Sequence, residues 1–105
     1  MILAHNDSDC GRRAYEVAKQ GGKHHEFWKQ YLNKSEKELK KGIRSFQRRI
    51  DEHKAKIANP ESIIPNFKEL DPRHQSALLR GWEDDIVRQT EQMGILEGIL
   101  RDRVQ

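Results

Sequence analysis

Three histidines occur where they could transfer protons on a phosphodiester. His24 and His25 follow Gly21-Gly22-Lys23 at a helix start, and His53 interrupts an otherwise apolar helical face. Histidine titrates near neutral pH, and a metal-independent ribonuclease needs a base for the 2′-hydroxyl and an acid for the leaving oxygen. We therefore predict that His24, His25 and His53 are catalytic, with Lys23 as a cation for phosphate. The alternative for His53 is a core histidine bonded to a neighbour.

A basic stripe accompanies these histidines. It steps by four, three and four residues along one predicted helix, and its members are Lys37, Lys41, Arg44 and Arg48. Aligned cations of this kind bind a nucleic-acid backbone. We predict that Lys41, Arg44 and Arg48 contact substrate phosphate. The alternative is a solvated face with ion pairs such as Glu36–Lys40.

The sequence carries no metal-binding motif. It has neither cysteines at ligand spacing nor a His-Glu-x-x-His pattern. Glu83, Asp84 and Asp85 are consecutive, so at most two of them face one ion on a helix. The single cysteine, Cys10, makes no internal disulfide. We predict no metal and no cofactor, and a fold that does not need an oxidising compartment.

The bulk composition favours amphipathic helices in one domain. The chain has 105 residues, of which 34% are hydrophobic and 35% are charged. Its net charge is +3, and residues 35–58 concentrate the positive charge, with 8 basic and 4 acidic side chains. No apolar run reaches the ~20 residues of a membrane span, and no signal-peptide pattern is present, so we predict no membrane span.

The elements that must position the histidines all read as helices. The predicted helices run from about Arg12 to Gln20, from about His24 to Leu32, from the Ser35 cap to Asn59-Pro60, and from Asp71-Pro72 onward, with a break at Gly81 and a new start at Glu83. Ser35-Glu36-Lys37-Glu38 is a capping box. Asp71-Pro72 pairs a preferred N-cap with a preferred first helical residue.

Two apolar seams of equal length predict how the long helices pack. One seam consists of Leu39, Ile43, Phe46, Ile50, His53 and Ile57, and the other of Trp82, Ile86, Gln89, Met93, Leu96 and Leu100. Both step by four and three residues, which is typical of coiled-coil-like pairs. We predict an all-α fold: a small helical bundle with two long antiparallel amphipathic helices plus short helices. Residues 1–11 are predicted to be a flexible segment and residues 12–105 a single domain.

Short phrases along the chain resemble a known protein family. They are Gly21-Gly22-Lys23-His24-His25-Glu26-Phe27, Lys40-Lys41-Gly42-Ile43-Arg44-Ser45, Glu52-His53-Lys54-Ala55-Lys56-Ile57-Ala58-Asn59-Pro60 and Leu70-Asp71-Pro72-Arg73-His74-Gln75. In these phrases the chain resembles the C-terminal toxin modules of bacterial polymorphic toxins, those of contact-dependent growth inhibition and Rhs-type proteins. The likeness spans about residues 13–103.

The resemblance implies a toxin that is delivered by a larger secreted or cell-surface protein into the cytoplasm of a target bacterium. It implies a cognate immunity protein as partner, and a nuclease activity that in several such modules is directed at tRNA. Some of these modules require elongation factor Tu. The matching residues that would carry this role are Lys23, His24, His25, Arg44 and His53. The alternatives are a DNase toxin, and a helical interaction module without enzymatic activity that binds a protein or nucleic acid.

Overall fold

The computed structural model describes residues 7–104, with side chains from residue 11 onward. Its helices are α1 (Asp7–Lys19), α2 (His25–Tyr31), α3 (Glu36–Ala58) and α4 (Pro72–Arg103), and two short 3-10 turns, Pro60–Ser62 and Phe67–Glu69, connect α3 to α4. No strand occurs in the described range. The predicted all-α bundle is thus confirmed.

The ends of α3 follow from local chemistry. The Ser35 hydroxyl accepts the Glu38 backbone N–H at 3.1 Å and donates to the Glu38 carboxylate. This contact satisfies one of the backbone donors that a helix leaves free at its start. Pro60 follows the last turn and disfavours helical backbone in the residue before it. The predicted boundaries of this helix are correct.

α4 is one continuous helix, so the predicted break at Gly81 is wrong. The Asp71 side chain accepts the Arg73 N–H at 2.8 Å, and Pro72 occupies the first turn as predicted. The helix then passes through Gly81, where an added Cβ would meet open space. A helical glycine costs only about 1 kcal/mol relative to alanine. That cost does not end a helix that gains packing and hydrogen bonds on both sides.

α3 and α4 pack antiparallel along the two predicted seams. His53 contacts Asp85, and a Cβ placed on Gly42 would lie 2.8 Å from the Leu96 side chain. Both contacts fit one antiparallel register, in which the C-terminal half of α3 lies beside the N-terminal half of α4. Each seam includes one polar residue. The polar residue of the α3 seam is His53, and that of the α4 seam is Gln89, which is 7% exposed.

α1 lies parallel to the C-terminal half of α4 and very close to it. Gly11 meets Gly94 backbone to backbone, and the Tyr15 ring lies directly over Gly98. The two glycines of α4 are four residues apart and share one face, so the backbones approach closely at Gly94 and the Tyr15 ring packs on α4 at Gly98. α1 begins at Asp7 and not near Arg12. Residues 1–6 of the predicted flexible segment lie outside the described residues.

The core lies where all four helices meet. Its buried members are Tyr15, Ala18, Leu39, Ile95, Leu96 and Ile99, and α2 adds Phe27, Trp28 and Tyr31 around them. We call this region the four-helix end. Residues 47–88 form the arm, in which α3 and α4 continue with only the 3-10 turns beside them. The result is an elongated molecule of 52 × 33 × 26 Å.

No helix in the described range is both long enough and apolar enough to span a membrane.

Candidate functional site

The turn between α1 and α2 places His24 against α4. Gly21 has φ +102°, a left-handed conformation that favours glycine, and the Gly22 N–H donates to the Val17 carbonyl at 2.8 Å. His24 itself has φ +70°, which few residues other than glycine adopt. Backbone in this region costs about 1–3 kcal/mol, and such residues cluster at functional sites. The turn therefore holds His24 in a conformation that its own backbone does not favour.

Glu91 on α4 contacts both predicted residues of this turn, Lys23 and His24. Its Oε1 lies 2.9 Å from His24 Nε2 and 3.0 Å from Lys23 Nζ. The His24 and Glu91 side chains are 12% and 18% exposed, so the pair is largely sheltered from water. Burial raises the pKa of Glu91, but the hydrogen bonds from His24 and Lys23 outweigh burial and lower it overall. Glu91 is thus a carboxylate at neutral pH.

The pair opens into a small recess between α1 and the α1–α2 turn. The recess has a volume of about 160 Å³, and its lining consists of Arg13, Ala14, Val17, Lys23, His24 and Glu91. Ala14 and Val17 supply apolar surface, and Arg13 and Lys23 supply two cations. The Glu91 carboxylate offsets one of these cations, and the remaining positive charge suits a phosphodiester, which carries one negative charge.

Glu91 also determines which nitrogen of His24 is available for proton transfer. A carboxylate accepts hydrogen bonds only, so Nε2 carries a proton and donates it to Glu91. In the neutral ring the lone pair then lies on Nδ1. No hydrogen bond within the described residues engages Nδ1. A carboxylate that orients a histidine in this way also stabilises the imidazolium that forms when the ring takes up a proton.

His25 is turned away from this recess. Its Nδ1 donates to the Ala18 carbonyl at 2.7 Å, and its ring stacks on Trp28 with centroids 5.4 Å apart. The hydrogen bond fixes the start of α2 against the end of α1, and the stacking lies within α2. His25 thus has a packing function in the structure, and its predicted catalytic role has no contact with Glu91 to support it.

His53 lies in the arm and pairs with a different carboxylate. Its Nδ1 donates to the Arg49 carbonyl at 2.8 Å, and its Nε2 lies 3.3 Å from Asp85. Asp85 and Glu91 are six residues apart on α4, which amounts to ~9 Å of rise and ~240° of rotation. No hydrogen bond or ion pair in the described range joins His53 to His24 or His25. The structure therefore does not bring the three predicted catalytic residues together.

The predicted phosphate contacts of α3 lie on the far side of the molecule from the recess. Lys41, Arg44 and Arg48 are each two residues from a seam residue, so they lie ~200° around α3 from the face that meets α4. α1 contacts α4 at Gly94, and α3 contacts it at Leu96, again ~200° around the helix. Lys41, Arg44 and Arg48 thus cannot reach a phosphate that is bound beside His24.

Two residues of the recess, Arg13 and Glu91, were not predicted from the sequence. Both are single charged residues on the polar faces of their helices, where most charges are merely solvated. A weak signal exists for the approach of α1 to α4. Gly94 and Gly98 form a small-x-x-x-small pattern inside the apolar part of α4, and glycine in a helix interior usually has a packing reason.

Comparisons with known proteins identify no family for this chain. No family model matches the chain, and neither a curated protein nor a solved structure matches it. Within the described residues, no group of three or more histidine, cysteine, aspartate or glutamate side chains is arranged to hold a metal ion.

Proposed function

We propose that this chain is an antibacterial toxin domain that cleaves RNA without a metal ion, with tRNA as its substrate and a cognate immunity protein as its inhibitor. One observation carries the enzymatic part of the proposal. His24, oriented by Glu91, borders a recess that also holds the two cations Arg13 and Lys23. A base, a group that orients it, and charge for the phosphate are the parts that such a reaction requires.

In the proposed reaction, His24 Nδ1 takes the proton of a ribose 2′-hydroxyl. The 2′-oxygen attacks the adjacent phosphorus, the bond to the 5′-oxygen breaks, and a 2′,3′-cyclic phosphate forms. The Lys23 ammonium gives a proton to the leaving 5′-oxygen and is reprotonated from solvent, and the His24 imidazolium releases its proton to solvent. Arg13 neutralises the charge that develops on the phosphoryl oxygens, and Glu91 stabilises the His24 imidazolium.

The size of the recess favours an unpaired nucleotide as the substrate. A cavity of about 150 Å³ holds a single benzene ring, and this recess measures about 160 Å³. One base that stacks on Ala14 and Val17 is of a size to occupy this recess. Proteins that act on specific RNA sites target loops and ends, where bases are unstacked. The loops of a tRNA offer such bases.

The toxin and immunity parts of the proposal are supported by the short phrases that resemble polymorphic toxin modules. In that setting the domain acts in the cytoplasm of the target bacterium, after delivery by a larger protein. Elongation factor Tu is then a second partner to test, because some modules of this kind require it. The absence of a metal cluster among the described residues is compatible with the proposed chemistry but does not argue for it.

Expression of the chain in bacteria without an inhibitor tests the proposal. We expect growth arrest together with cleaved tRNA, and we expect Glu91→Gln, which keeps the shape of the side chain, to prevent both. Lys29→Gln, on the exposed face of α2, is a matched control that should remain toxic. Healthy growth would overturn the toxin assignment, and arrest with intact tRNA would overturn the tRNase assignment.

The requirement for a 2′-hydroxyl distinguishes the proposed ribonuclease activity from a DNase activity. If an oligonucleotide with a deoxyribose at the cleavage position is cut as fast as the all-ribose version, the proposed chemistry is wrong.

A non-enzymatic interaction module is the other candidate, and one observation favours it. His25 and His53 donate to backbone carbonyls, so two of the three predicted catalytic histidines make contacts that stabilise the fold. Binding that persists in His24→Ala without any cleavage by the parent chain would support that reading.

A further inference from the structure

The exposed face of α3 carries a line of cations that the recess does not use. Its members are Lys37, Lys41, Arg44 and Arg48, which we call the ridge. All four residues are exposed, and no ion pair within the described residues engages them. By contrast, the neighbouring Lys40 is paired with Glu36 at 2.8 Å. The ridge therefore presents uncompensated positive charge to solvent.

The ridge has a defined length and end. From Lys37 to Arg48 the ridge covers twelve positions of α3, and the eleven steps between them correspond to ~16 Å of helix. Arg44 and Arg48 also line a depression of about 500 Å³, whose lining includes Gln47, Asp51, Glu52 and Ala55. Asp51 and Glu52 follow Arg48, so the run of aligned cations ends there, in the first turn of the arm.

The composition of this face favours a polyanion over a protein as its partner. Protein interfaces have an apolar or aromatic centre and are depleted in lysine. The exposed residues of α3 between positions 36 and 49 are all charged or polar, and none of them is apolar or aromatic. A nucleic-acid backbone needs only cations at regular spacing, and it gains affinity by releasing counterions.

We propose that the ridge is a second RNA-binding surface, which holds the phosphate backbone of the substrate at a point remote from the bond that is cut. This inference rests on the proposed function for the identity of the RNA. Since the ridge and the recess face opposite sides of a molecule 33 by 26 Å across, one short strand cannot occupy both. A long structured RNA that bends around the domain can. The ridge thus selects substrates by size and shape, and the recess carries out the cleavage.

A charge-matched pair of variants tests the two-surface arrangement. The ridge variant is Lys37→Gln/Lys41→Gln/Arg44→Gln/Arg48→Gln. The control variant, Lys29→Gln/Lys68→Gln/Arg73→Gln/Arg80→Gln, removes the same number of lysines and arginines from other exposed positions. Circular dichroism and thermal unfolding confirm that both are folded. A third variant, Lys37→Arg/Lys41→Arg/Arg44→Lys/Arg48→Lys, keeps the charge of the ridge and should behave like the parent.

Binding is measured with full-length tRNA on a His24→Ala background, so that the RNA stays intact. We expect the ridge variant to lose at least tenfold in affinity and the control variant less than threefold. Each phosphate contact contributes ~0.7–0.9 to the slope of log affinity against log salt, so the slope should shrink by about 3. Equal affinity and slope in the ridge and control variants would overturn the inference. That outcome, with loss of inhibition by the immunity protein instead, would reassign the ridge to a protein partner.

Cleavage of a tetranucleotide and of full-length tRNA then separates the two surfaces. The ridge variant, with His24 intact, should cut the tetranucleotide as well as the parent does and cut tRNA with a raised KM and an unchanged kcat. Equal loss on both substrates would contradict a remote site. If the parent cuts no RNA but binds tRNA through the ridge, the proposed function fails and the ridge inference stands. If the parent neither cuts nor binds tRNA, both fail.

Discussion

The two ends of this molecule use the same long helices to different effect. At the four-helix end, α4 is enclosed by α1, α2 and α3, and Ile95, Leu96 and Ile99 are at most 2% exposed. In the arm, the same helix has α3 and the short connector beside it, and Val87 is 51% exposed. Both ends hold a histidine–carboxylate pair. The pair at the four-helix end borders a recess with two further cations, where α1, the α1–α2 turn and α4 converge.

The candidate site differs from a packing contact in how far the histidine–carboxylate pair is enclosed, and not in the presence of a histidine. His53–Asp85 lies between two helices, and the second nitrogen of His53 is bonded to a backbone carbonyl. His24–Glu91 lies where a strained turn meets two helices, and the second nitrogen is left for chemistry. If this account holds, substitutions at the two ends should differ in size and kind.

The largest difference is expected for core leucines. Leu96→Ala removes a fully buried side chain from the four-helix end and should cost about 2–5 kcal/mol of unfolding free energy. Leu78→Ala, the same change at a half-exposed position of the arm, should cost less than half as much. Urea unfolding followed by circular dichroism measures both. Equal losses would mean that the arm shares one core with the four-helix end, and the comparison would fail.

Alanine substitution of two glycines of α4 should change the free energy of unfolding by smaller amounts, with opposite signs at the two positions. A Cβ on Gly94 would collide with the backbone of Gly11, so Gly94→Ala should destabilise the protein by about 1–3 kcal/mol. A Cβ on Gly81 meets open space, so Gly81→Ala should stabilise it by about 0.5–1 kcal/mol through helix propensity. Thermal unfolding of the two variants checks this. A stabilising Gly94→Ala would contradict the close approach of α1 to α4.

The outcome at Gly81 also shows what sequence reasoning can and cannot establish. The caps at Ser35 and Asp71 predicted where α3 and α4 begin, and the two seams predicted that these helices pack antiparallel, because these signals are local or periodic. The continuity of α4 through Gly81 was missed, since it depends on packing that one helix does not encode. Glu91 and Arg13 were missed for a similar reason. Their role arises from a turn that brings distant segments together, and neither has a neighbour in sequence that marks it.

The tyrosine that joins α1 to the end of α4 should give a pH signature at the four-helix end. The buried Tyr15 hydroxyl donates to Asp102, and Lys19 lies 3.2 Å from the same carboxylate. Burial and this hydrogen bond raise the pKa of Tyr15 to about 12. A raised pKa stabilises the fold fully below the unfolded value of about 10, and that stabilisation is lost as pH rises towards 12.

Tyr15→Phe should therefore cost about 1–2 kcal/mol near pH 8. The gap between parent and variant should narrow between pH 10 and 12, as the parent loses its advantage. Urea unfolding at a series of pH values measures the gap, and Tyr31→Phe is the control on the half-buried face of α2. A gap that stays constant over this range would show that the Tyr15 hydroxyl does not titrate as the contact with Asp102 requires.

The smallest expected effects come from the two histidine–carboxylate pairs. Asp85→Asn, at a pair that is 16% and 35% exposed, should cost less than about 1 kcal/mol. Glu91→Gln should cost somewhat more, since its pair is better enclosed. The pKa of Glu91 is lowered in the fold, so its contribution is present above the unfolded value of about 4.3 and is lost as pH falls further. The cost of Glu91→Gln should thus shrink towards pH 3, as unfolding at graded acid pH can show.

One side-by-side measurement tests most directly whether the chemistry belongs to the four-helix end. The initial rate of tRNA cleavage, in buffer containing a metal chelator, is compared for the parent, His24→Ala and His53→Ala, with fold checked by thermal unfolding. The account predicts that His24→Ala lowers kcat by about 100-fold or more, while His53→Ala stays within about threefold of the parent. A His24→Ala variant that cleaves at the parent rate, or a His53→Ala variant that alone is inactive while folded, would contradict it.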